Sequence, residues 1–72
     1  MLLRIDVPQA WNRTAEQALL ETRKIDILQR GYGAGSTEWS FLVETEISKD
    51  KVQDILFGAG LNWARVTPQF HS

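Results

Sequence analysis

The stretch 37-TEWSFLVETE-46 decides how this chain is read, because Trp39, Phe41, Val43 and Thr45 share one parity while Glu38, Ser40, Glu44 and Glu46 share the other. Such alternation specifies a half-buried strand. No other alternating run in the chain carries apolar side chains as large, so the remaining elements are laid against the Trp39/Phe41/Val43 face. Leu42 is the apolar exception on the outer face.

Immediately upstream, Gly31-Tyr32-Gly33-Ala34-Gly35-Ser36 has three glycines in six residues, which predicts a flexible hairpin connection. Lys24 to Arg30, with Ile25 and Ile27 on one parity and Asp26, Leu28 and Arg30 on the other, is the strand that the hairpin joins. At the start of the chain, Leu3, Ile5 and Val7 alternate with Arg4 and Asp6 as a further strand that Pro8 ends. Asp6 and Gln9 have the spacing of a capping box, and Trp11, Ala15, Ala18, Leu19 and Thr22 trace the apolar stripe of a helix ending near Arg23. Thr14 and Gln17 offer a second box of the same kind, which would leave Trp11 in a loop. Downstream, Ser48 between Ile47 and Val52 reads as an N-cap with a hydrophobic staple, and Gly58 and Gly60 stop a helix carrying Val52, Ile55, Leu56 and Ala59. A last strand, Asn62 to Thr67, sets Ala64 and Val66 against Trp63, Arg65 and Thr67 before Pro68.

The resulting order is β-α-β-β-α-β, an α+β ferredoxin-like arrangement in which two helices cover one face of a four-stranded antiparallel sheet. Right-handed crossovers put the first and third strands in the centre. Residues 1–72 are expected to form one such domain, with 68–72 as a flexible tail. This scaffold hosts unrelated activities, so function has to be read from its faces and loops.

A chain of 72 residues buries only about 60% of its unfolded surface, and its stability is a few kcal/mol. Without cysteine there is no disulfide framework, thiolate nucleophile or cysteine-based metal site. Eight Lys and Arg against nine Asp and Glu give a net charge of −1, so there is no global field for nucleic acid or an anionic membrane. No window approaches a membrane span, and Met-Leu-Leu-Arg-Ile-Asp is too short and too early in its charges for a signal peptide. The expected location is cytoplasmic.

With the apolar parity placed under the helices, the open sheet face displays Arg4, Asp6, Leu28, Arg30, Leu42, Glu44, Trp63 and Arg65. Trp63 with Leu28 or Leu42 then forms an apolar centre surrounded by arginines, the anatomy of an interface hot spot. Tyr32, at the tip of the glycine hairpin, adds a residue suited to a partner's pocket. Asp6 and Glu44 read as salt-bridge partners of the arginines. His71, the only histidine, lies next to the last residue, where a base is poorly held. No nucleophile, metal cluster or positioned base stands out, and no cofactor is expected.

The expectation is a non-enzymatic binding or regulatory module acting through protein–protein contacts, as a homo-oligomer or as a small subunit or inhibitor of a larger protein. Its partner-binding residues are Arg4, Leu28, Arg30, Tyr32, Leu42, Trp63 and Arg65. The alternative is nucleotide or single-stranded nucleic-acid binding, with arginines on phosphates and Trp63 as a stacking platform.

Overall fold

A computed structural model describes residues 1–32 and 37–69. The chain forms an α+β fold in the order β1 (Leu2–Pro8), a 3-10 turn (Gln9–Trp11), α1 (Asn12–Glu21), β2 (Ile25–Tyr32), β3 (Glu38–Thr45), α2 (Lys49–Gly58) and β4 (Arg65–Gln69). All strand pairings are antiparallel, and the sheet order β2-β3-β1-β4 places β1 and β3 in the centre.

The alternation of β3 does what its sequence demands. Phe41 and Val43 are buried, and Trp39 packs against the same core. The register sets Leu3 opposite Val43, Ile5 opposite Phe41 and Val7 opposite Trp39, while Val66 of β4 lies opposite Ile5 from the other side. Ala15 and Leu19 of α1 and Val52 and Leu56 of α2 complete this single cluster. Full burial of each large apolar side chain contributes about 1.5–3 kcal/mol, which is how so short a chain offsets its conformational entropy.

Three local features depart from the sequence reading. The first helix does not start at a capping box. Asp6 stays in β1, with its carboxylate accepting from Arg4 Nε and Ser40 Oγ. Pro8 is extended and leads into the 3-10 turn, so α1 begins only at Asn12, without a side-chain cap. Trp11 therefore leaves the expected apolar stripe and stands 44% exposed.

The second departure is in β2. Ile27 lies opposite Val43 but Gln29 opposite Leu42, so Leu28 is the extra residue of a β-bulge. One inserted residue reverses the face of everything after it. Arg30 consequently lies opposite Phe41 and Tyr32 opposite Trp39, on the helix side of the sheet. Gly31 and Tyr32 belong to β2, whereas Gly33 to Ser36 of the expected hairpin lie outside the described residues.

The third concerns β4, which begins at Arg65 rather than Asn62 and continues through Pro68 to Gln69. Proline is tolerated there because β4 is an edge strand whose outer side needs no N–H donor. The expected tail from 68 thus starts inside the sheet, and Phe70 to Ser72, including His71, lie outside the described residues.

The second helix follows its sequence signals closely. Ser48 Oγ accepts from the Lys51 amide at 3.3 Å, and partly buried Ile47 packs against the core cluster that contains Val52. At the other end Gly60 adopts a φ of 90°, and the amides of Gly60 and Leu61 donate to the carbonyls of Phe57 and Leu56 at 2.9 and 3.0 Å. This is a Schellman stop, and it turns Leu61 into the core.

Gly58 and Gly60 therefore have opposite sensitivities, although neither has an atom within 4 Å of where a Cβ would stand. Gly60→Ala should destabilise the domain by about 1–2 kcal/mol because its backbone is left-handed, whereas helical Gly58→Ala should stabilise it by about 0.5–1 kcal/mol. Chemical denaturation of the two variants checks the pair, and equal effects would contradict the Schellman geometry.

Candidate functional site

The residues expected to share one open face are distributed over four places. Arg4, Leu42 and Arg65 do lie on that face: Arg4 is opposite Leu42 and Thr67, and Arg65 is opposite Asp6. Arg4 is already engaged, with its Nε 3.1 Å from Asp6 Oδ1. Leu28, 53% exposed, sits on the bulge of edge strand β2. Arg30 is turned towards α1, where its Nε pairs with Glu16 Oε1 at 2.8 Å.

Trp63 is not a strand residue: it precedes β4 in the turn after Leu61, and it lines one cleft with Asp6 and Arg65. Its neighbour is Trp11: the two rings meet edge-to-face with centroids 5.5 Å apart and planes at 64°. Tyr32 makes a second such contact, with Trp39, at 5.3 Å and 72°.

Antiparallel register explains why these aromatics gather. Pro8 is opposite Glu38, Trp39 is opposite both Val7 and Tyr32, and Asp6 is opposite Arg65, so the end of β1, the end of β2, the start of β3 and the start of β4 share one end of the sheet. The 3-10 turn carries Trp11 there directly from Pro8. Its Gln9 amide donates to the Thr37 carbonyl at 2.8 Å, and Gln9 Nε2 donates to the Tyr32 hydroxyl at 3.3 Å. Trp11, Trp63 and Tyr32 are 44%, 45% and 66% exposed.

This aromatic end was hidden from the sequence because it depends on register rather than on spacing. A usable signal existed nonetheless. Trp11, Tyr32, Trp39 and Trp63 all lie at or just beyond element termini, and antiparallel pairing brings those termini together.

Beside Trp63 the surface opens into a cleft of about 290 Å³ lined by Asp6, Pro8, Thr37, Glu38, Trp63 and Arg65, among others. Among the described residues, no group of three or more His, Asp or Glu is placed to hold a metal, and no helix is long and apolar enough to cross a membrane.

The edge-to-face contact has a measurable energy. In a double-mutant cycle with Trp11→Ala and Trp63→Ala, the coupling should be about 0.5–1.5 kcal/mol by equilibrium unfolding. A coupling of zero would mean that the rings do not meet in solution.

Compared with known proteins, the chain matches no protein-family model, no curated protein and no solved structure.

Proposed function

We propose that this chain is a non-enzymatic, ferredoxin-like binding or regulatory module that contacts another protein, or a second copy of itself, through the aromatic end of its sheet. The observation that carries this reading is the exposure of Trp11, Tyr32 and Trp63 at that end, Trp11 and Trp63 edge-to-face with each other and Tyr32 edge-to-face with Trp39. Folding alone gives little reason to leave three large aromatics partly exposed at one end of a sheet. Tryptophan and tyrosine are the residues on which interface energy concentrates, since they bury much area for few rotatable bonds. Gln9, Glu38 and Arg65 supply the polar surround of such a contact.

The nucleic-acid alternative has less support. Arg4 is paired with Asp6 and Arg30 with Glu16, so two of the three arginines expected on the open face are already engaged.

Sedimentation of the purified chain, and affinity capture from its native host, separate self-association from a second protein. In either case the double variant Trp11→Ala/Trp63→Ala should weaken association by about 2 kcal/mol or more, while Arg4→Ala on the open face changes it little. Association that survives the double variant and is lost in Arg4→Ala would place the contact on the open face instead.

A further inference from the structure

We propose that the cleft beside Trp63 binds a small zwitterion with an apolar body, the chemistry of a free, large hydrophobic amino acid. The charges around the cleft select this class. Asp6 is taken up by Arg4 and Ser40, whereas Glu38 and Arg65 make no ion pair among the described residues. These two flank β1 from opposite sides, Glu38 opposite Pro8 on β3 and Arg65 opposite Asp6 on β4. A ligand bearing only a carboxylate would satisfy Arg65 and face Glu38 unpaired. One bearing only an ammonium would do the reverse. A molecule with both groups satisfies both, and each charge-assisted hydrogen bond is stronger than a neutral one.

The walls select the body of the ligand. Trp63 and Pro8 present apolar surface to the cleft, and the edge-to-face contact with Trp11 holds the Trp63 ring in place. At about 290 Å³ the cleft lies at the lower end of small-ligand pockets, which run from about 300 to 1,000 Å³. That volume suits a ligand of amino-acid size. The site shares Trp63, Glu38 and Arg65 with the protein-contact reading, but its ligand is selected by the two charges, whereas that contact rests on the exposure of the aromatics.

The test is calorimetric titration of the intact chain with L-phenylalanine, phenethylamine and 3-phenylpropionate, three probes that share one body and differ only in charge. L-phenylalanine should bind saturably, and each single-charge probe about tenfold or more weaker. Arg65→Met should weaken L-phenylalanine about tenfold and not weaken phenethylamine. Glu38→Gln should weaken L-phenylalanine and not weaken 3-phenylpropionate. Circular dichroism of both variants confirms that the fold is retained. Absence of saturable L-phenylalanine binding at millimolar concentration, equal affinity for the three probes, or indifference to both substitutions in folded protein would each overturn the proposal. A protein contact that persists in that event leaves the preceding reading intact.

Discussion

The pairing of β1 with β3 at Ile5 and Phe41 is the constraint on which the rest of this structure depends. Both strands are central, and Val66 closes on Ile5 from β4, so this row of the sheet is apolar on the helix side across three strands. Both helices dock on it through only two fully buried side chains each, Ala15 and Leu19 from α1 and Val52 and Leu56 from α2. A slip of one residue in this register would turn the apolar set of β1 to solvent and leave the helices without a floor. The polar groups within the fold support the same arrangement. Thr45 is buried, but its hydroxyl donates to the Lys24 carbonyl and accepts from the Ile47 amide, and Gln53 Nε2 reaches the Ala64 carbonyl at 2.6 Å.

That register also determines where the exposed aromatic surface forms. Once Pro8 is set opposite Glu38 and Asp6 opposite Arg65, the segments leaving β1 and entering β4 emerge side by side, and Trp11 and Trp63 meet. Tyr32 arrives beside Trp39 because the bulge at Leu28 turns the last residues of β2 over. A single inserted residue thus moves Arg30 from the open face to a contact with Glu16 and brings Tyr32 to the aromatic end. The open face that remains is largely neutralised, with Arg4 and Ser40 both donating to Asp6.

The legible part of the fold is the part that follows local periodicity. The alternation of residues 37–46, the apolar parity of β1 and the Ser48 cap with its staple all appear where the chain alone places them. What was not legible depends on non-local geometry. A bulge leaves no signature in the run Ile25 to Arg30, whose residues alternate as well with it as without it. The start of β4 was displaced because the Schellman turn uses Leu61 as a core residue and needs Asn62 and Trp63 to return to the sheet, although Trp63 fits an alternating pattern with Arg65 and Thr67. Of the candidate site, Tyr32, Trp63 and Arg65 were identified as contact residues and Trp63 was placed beside Arg65, but the sheet end they share with Tyr32 was not foreseen, and Trp11 was assigned to a buried stripe that it does not join.

The central claim, that the aromatic end rather than the open sheet face meets other molecules, is tested most directly by amide hydrogen exchange of the chain alone and in its assembled state. The account predicts added protection at Gln9 to Trp11, at Trp39 and at Asn62 to Arg65, with Arg4, Leu42 and Thr67 unchanged. Protection gained at Arg4, Leu42 and Thr67 while Trp11 and Trp63 exchange as before would contradict it.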